Sequence, residues 1–286
     1  MSLYYTFKIL EATLARLPKR LSYMLACFLA TVVFRAMPSL RRTVTSNVSH
    51  VIGPVAKSSV IDSTVRGVLN STFKNYFDII RLPRLSRDNM LRMINVTGLH
   101  HLDKAVKKGN GVILFTAHLG SFDTAFQILG TLPTVITVVV EPINPPVLLN
   151  YISKLRAEFG LNILPAKSGA LRQIIKLLRK GEVLLFVLDR DTAGARVKSS
   201  FFGEETSMPA EAVKIAMRTG ASIVPTFNNR RSDGNYDLYV EPEIDIARNG
   251  NGSLEKNMAQ IANVMEKYIR RFPEQWVVLE PIWDNN

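Results

Sequence analysis

Short apolar runs rich in β-branched residues, separated by amphipathic stretches of helical period, constrain this chain more than any other feature. The runs lie at 111–116, 134–140, 161–164, 183–188 and 223–227; the helical stretches between them lie at 121–129, 147–159, 170–180 and 210–219. A strand that is apolar on both faces needs cover on both faces, and a helix between successive strands supplies it. The pattern therefore predicts an α/β fold with a mostly parallel central sheet wrapped by helices. Residues 236–244 alternate more and are expected as an antiparallel or edge strand, followed by a helix at 253–271 and a last strand at 276–279.

Ahead of this pattern stands a different kind of sequence. The chain carries a formal charge of +12 over 286 residues, and positions 1–57 hold Lys8, Arg16, Lys19, Arg20, Arg35, Arg41, Arg42 and Lys57 against the single acid Glu11. These basic residues bracket the apolar run 21–34. A spanning helix needs about 20 apolar residues, so the run is expected either to lie in a membrane interface or to pack as a core helix. A polar stretch at 46–63 then leads to a helix at 65–80 that ends at Leu82-Pro83. The expected organisation is an N-terminal basic and apolar helical segment, 1–82, and an α/β core, 83–286, forming one compact unit. The partners expected for such a charge are anionic: phospholipid headgroups or a phosphorylated cofactor. Nucleic acid fits poorly, because the basic segment is interleaved with aliphatic residues and no reading module is recognisable.

Cys27 is the one cysteine, so no disulfide can form within the chain and no cysteine cluster can bind metal. It sits among apolar residues that disfavour a thiolate. A reducing, cytoplasmic setting follows, with no cleavable export signal expected after Arg35.

Reactive groups in such sheets gather at the carboxyl ends of strands. The first clear strand runs into Thr116-Ala117-His118-Leu119-Gly120-Ser121-Phe122-Asp123. On one continuous helix a separation of five is roughly 500 degrees of turn, which would leave the side chains of His118 and Asp123 on different faces. His118 is thus expected in the loop, Gly120 at the turn and Asp123 in the first helical turn. That geometry suits a general base, with Asp123 accepting from Nδ1 and Nε2 free to take a proton. The plain alternative for a His followed by an Asp is a structural role. Gly109-Asn110-Gly111 precedes its strand and is a turn instead of a dinucleotide fingerprint, and no Gly-x-Ser-x-Gly elbow occurs.

His118-x4-Asp123 at a strand end resembles the H-x4-D motif of the glycerolipid acyltransferases. Other segments resemble one branch of them, that of the bacterial lipid A late acyltransferases and phosphatidylinositol mannoside acyltransferases. These are Val138-Val139-Val140-Glu141-Pro142, Leu155-Arg156 through Gly160, Leu188-Asp189-Arg190-Asp191, Phe201-Phe202-Gly203, and Ala212 through Ala216-Met217-Arg218-Thr219-Gly220 to Pro225. Arg41-Arg42 and Asn47-Val48 resemble the helix that precedes the catalytic region. The resemblance covers roughly residues 20–281, with the order kept. It implies a fatty acyl transfer from a thioester of coenzyme A or acyl carrier protein to a lipid or glycolipid hydroxyl, without metal or other cofactor. His118 would be the base and Asp123 its partner, with Glu141, Arg156, Asp189, Arg190, Asp191 and Gly203 binding substrate or ordering the site. It also implies a peripheral position on the cytoplasmic face of the inner membrane. The lipid A branch usually has Glu where Asp123 stands, so the acceptor stays open. A thioester or lipid hydrolase and an inactive lipid-binding protein are the alternatives.

Overall fold

Val112–Thr116 (β2) has every residue buried, as a strand covered on both sides requires. In the computed structural model, which describes residues 13–141, 147, 153, 154, 157, 159–167, 169–190, 196–248, 250 and 252–283, β2 lies at the centre of the sheet. The other sheet strands are β1 (Ile94–Thr97), β3 (Ile136–Val140), β4 (Leu161–Pro165), β5 (Val183–Val187), β8 (Ser222–Arg230) and β9 (Tyr236–Val240). Their order is β1-β9-β8-β2-β5-β3-β4. From β8 to β4 all neighbours are parallel; β9 runs antiparallel to β8, and β1 is parallel to β9.

Alternation along β2 divides the interior into two cores. Ile113 and Phe115 face one, with Leu184, Ile223 and the helices α7 (Ala170–Arg179), α8 (Glu211–Thr219) and α9 (Ser253–Arg271). Val112 and Leu114 face the other, with Val183, Val224 and the helix α5 (Leu99–Lys107). Each such side chain contributes about 1.5–3 kcal/mol by leaving water.

The N-terminal helices α1 (Lys19–Ala36), α2 (Pro38–Ile52) and α3 (Ser58–Arg81) share a third core of Ala30, Phe34, Val44, Val48, Val65, Val68 and Leu69. α3 joins this bundle to the sheet. Gly67 lets it approach the C-terminal segment, since a Cβ there would sit 2.5 Å from Glu274 Cβ. No single described helix is long and apolar enough to cross a membrane; α1 and α2 together meet the length and composition, but they are bent by 101°.

Several expectations change. Residues 46–52, read as a polar stretch, complete α2, because Val48 and Val51 recur on its buried face. β8 continues past Phe227 through Asn228, Asn229 and Arg230, polar residues that mimic a turn in the sequence but are buried here. Residues 276–279 form no strand; Trp276 makes a single bridge to Leu119. A hairpin of β6 (Arg196–Phe201) and β7 (Glu204–Pro209), and α4 (Arg87–Met93) with β1 and α5 in sequence after it, were not foreseen. The expected helix at 147–159 falls largely outside the described residues, as do Lys8 and Glu11.

The bundle and sheet are also locked electrostatically. Arg230 Nη2 on β8 donates to Asp78 Oδ2 on α3, and the two side chains are only 6% and 3% exposed. Burial alone would lower the Arg230 pKa, but Asp78, Tyr23 and Tyr236 outweigh it and hold the guanidinium above its ordinary value. Removing one partner leaves the other charge buried and uncompensated. Arg230→Met should therefore lower unfolding free energy by about 3–5 kcal/mol, read from urea denaturation, whereas a loss under about 1 kcal/mol would show that the pair carries little of the fold.

Candidate active site

The loop between β2 and the short helix α6 (Phe122–Ala125) carries His118. Its polar groups are held from several elements. His118 N–H donates to Asp189 Oδ2 at 2.8 Å, and the His118 carbonyl accepts from Val277 N–H at 2.8 Å. The Leu119 carbonyl accepts from Asn228 Nδ2 at 3.0 Å, and the Gly120 carbonyl from Asn75 Nδ2 at 2.7 Å. Gly120 N–H donates to the Gln275 carbonyl at 2.9 Å. Gly120 has φ +67°, and a Cβ there would lie 2.4 Å from Asn228 Oδ1, so only glycine fits the turn.

The imidazole is oriented by Asp189, which follows β5. His118 Nδ1 lies 2.7 Å from Asp189 Oδ1. An ionised carboxylate only accepts, so Nδ1 carries the proton and Nε2 is the free lone pair. The sequence reading gave this Nδ1 partnership to Asp123; the structure gives it to Asp189. The physical reason is topological: β2 and β5 are neighbours in register through Thr116↔Val187, which brings their ends together. Asp123 lines the same cavity as His118 from the first turn of α6.

Asp189 has a fully buried side chain. Trp276 Nε1–H donates to its Oδ2 at 2.7 Å. Burial by itself would raise the carboxyl pKa, but the facing His118 and the hydrogen bonds from His118 and Trp276 prevail and hold it below its ordinary value. Phe122 meets the imidazole edge to face, at 5.4 Å between ring centroids.

His118 opens onto a cavity of about 870 Å³ at the carboxyl ends of β2, β3 and β5. Its walls include Phe126, Leu161, Ile174, Leu185, Leu188 and Val278, an apolar lining with a few polar groups. Arg190 lines the mouth, where its two terminal nitrogens donate to Glu141 and Glu280. Glu141 and Arg190 thus come together as an ion pair beside the site. Gly203 does not line this cavity; with Phe202 it forms the two-residue turn of the β6–β7 hairpin, at φ +85° and +53°. Both positions require the left-handed region, so the glycine serves the turn. Arg156 and Asp191 lie outside the described residues.

Sequence reasoning missed Trp276, Gln275, Asn228 and Asn75. Each was legible only as a polar or aromatic residue in an apolar context, far along the chain from His118.

The family described as bacterial lipid A biosynthesis acyltransferase matches residues 2–285. A phosphatidylinositol mannoside acyltransferase of Mycobacterium tuberculosis (strain CDC 1551 / Oshkosh) is 28% identical over 242 residues, covering 83% of this chain and 75% of that protein. A protein of the same name from Mycolicibacterium smegmatis is 27% identical, covering 83% and 77% respectively. A lipid A biosynthesis acyltransferase of Haemophilus influenzae is 24% identical over 203 residues, covering 70% of this chain and 62% of that protein.

The contribution of the Asp189 carboxylate to stability is complete above the ordinary value of 3.8 and is lost as pH falls through the folded-state value, which its partners hold lower. Urea titrations from neutral pH downwards should show an acid limb below pH 3.8 in the parent that is shallower in Asp189→Asn. Equal limbs in the two proteins would contradict this.

Proposed function

The chain belongs to the bacterial lipid A biosynthesis acyltransferase family, and from this premise we propose that it moves a fatty acyl group from a coenzyme A or acyl carrier protein thioester to a lipid or glycolipid hydroxyl, with His118 as general base. The observation that carries the reading is His118 Nδ1 held at 2.7 Å by a buried carboxylate at the edge of an apolar cavity. In this reading Nε2 takes the proton of the acceptor hydroxyl as its oxygen attacks the thioester carbonyl. The C–S bond of the resulting tetrahedral species breaks, the thiolate leaves, and the imidazolium returns the proton to it. Asp189 stabilises that imidazolium and fixes the ring; a base so placed contributes about a hundredfold to ten-thousandfold. The transfer is direct, with no acyl-enzyme and no metal in the sequence of steps. The apolar walls suit an acyl chain, and each methylene buried there is worth about 0.8 kcal/mol. In this reading Asp123, which lines the same cavity, aligns the acceptor hydroxyl.

The reading includes a membrane. α1 turns its small residues Ser22, Ala26 and Ala30 inward, while Met24 and Phe28 are 67% and 63% exposed and Leu21 and Val32 extend the same stripe. Arg20 and Arg35, both exposed, close its ends. Large apolar groups facing out between arginines suit the interface of an anionic bilayer. The protein is thereby read as peripheral, on the cytoplasmic face of the inner membrane.

The test of the chemistry is release of thiol from palmitoyl-coenzyme A or an acyl carrier protein thioester, with and without lysophospholipid and glycolipid acceptors. Release should require both acceptor and His118, and His118→Ala should lose at least a hundredfold in turnover. Acceptor-independent release would instead make it a hydrolase. For the membrane, Met24→Glu with Phe28→Glu should abolish sedimentation with anionic vesicles while leaving the far-UV spectrum unchanged; retained binding would remove α1 from the interface.

A further inference from the structure

We propose that Asn75 and Asp78, both on α3 in the N-terminal helical bundle, are positioning residues for His118, so that this bundle completes the catalytic loop. The inference rests on the reading of His118 as the base.

α3 reaches two of the three residues that connect His118 to α6, Gly120 and Ser121. Asn75 Nδ2 donates to the Gly120 carbonyl at 2.7 Å, and Ser121 Oγ donates to Asp78 Oδ2 at 3.0 Å. Both α3 residues are themselves fixed from behind. Arg230 Nη2 donates to Asn75 Oδ1 at 2.6 Å and to Asp78, while Tyr236 and Tyr23 each donate to Asp78 at 2.9 Å. Asn75 and Asp78 are 8% and 4% exposed, so a bond lost here is not replaced by bulk water.

The backbone at Gly120 has a single way through, because its left-handed φ leaves no room for a side chain beside Asn228. Its peptide with Ser121 lies between His118 and Asp123, and what fixes that peptide's rotation is the Asn75 amide on its carbonyl and the Asp78 carboxylate on the next hydroxyl. Catalysis by a positioned base is sensitive to such placement, since a displacement of about 1 Å can cost about a hundredfold. The same α3 face contributes Thr72, Asn75 and Tyr76 to the cavity wall. One helix therefore lines the substrate space and sets the loop opposite it.

The test compares full-length variants in the thiol-release assay. Ser121→Ala removes only the hydroxyl bond to Asp78, and Asn75→Ala removes the bond to the Gly120 carbonyl. Each should lower kcat ten- to a hundredfold with KM for the donor within twofold, and Ser121→Thr should recover most of the Ser121→Ala loss. Arg81→Met removes the bond from α3 to the Leu17 carbonyl at 2.6 Å, away from the loop, and should keep the parental kcat. Asn75→Ala can fail to fold, in which case Ser121→Ala and Ser121→Thr decide. Parental kcat in Ser121→Ala, or an equal loss in Arg81→Met that tracks a fallen melting temperature, overturns the positioning role while leaving His118 in place. Full turnover in His118→Ala overturns the reading beneath it, and the positioning claim with it.

Discussion

A carboxylate carried into a protein interior must be hydrogen-bonded on all sides or give up its charge, and Asp189 meets that condition by gathering the candidate site around itself. One oxygen takes the His118 ring and the other takes the His118 backbone N–H and the Trp276 indole. Three segments distant in sequence are thus tied to one group: the end of β2, the end of β5 and the C-terminal strap. The arrangement that satisfies the buried charge is the arrangement that leaves Nε2 of the imidazole free toward the cavity.

A second buried charge does for the helical bundle what Asp189 does for the sheet. Asp78 and Arg230 could not be buried separately, and their pairing brings α3 against β8 in one relative position. Gln275 extends the link: its side chain exchanges hydrogen bonds with the Arg230 backbone at 2.7 and 2.9 Å, while its own carbonyl holds Gly120. The two centres meet at the His118 loop, whose successive polar groups are shared between them. Apolar packing supplies the larger part of the stability, but the direction of the loop is set by these polar contacts.

The cavity combines the two kinds of surface. Strand ends supply apolar lining such as Leu185 and Leu188, α3 adds Thr72, Asn75 and Tyr76, and the ionisable groups include His118, Asp123 and, at the mouth, Glu141 and Arg190. At that mouth Arg190 is engaged by Glu141 and Glu280, so its charge is already balanced within the chain. A phosphate brought there would compete with two carboxylates for one guanidinium, which makes the mouth a less open anion site than the sequence around Asp189-Arg190-Asp191 suggests.

The sequence by itself determined the layered α/β architecture, because burial of a strand on both faces leaves a continuous apolar run and each covering helix leaves a period of 3.6. It also determined His118 as the reactive candidate, from its place after the first strand, and the turn at Gly120. The helix at 253–271 was readable to the residue for the same reason of periodicity. Polar residues in buried strands were not readable: Asn228, Asn229 and Arg230 look like a turn until their partners on the His118 loop, β9 and α3 are in place. The histidine's partner was decided only by the tertiary structure. Asp123 is five residues away along the chain, whereas Asp189 is 71 away, and strand neighbours are chosen by sheet order, which no local pattern of residues encodes.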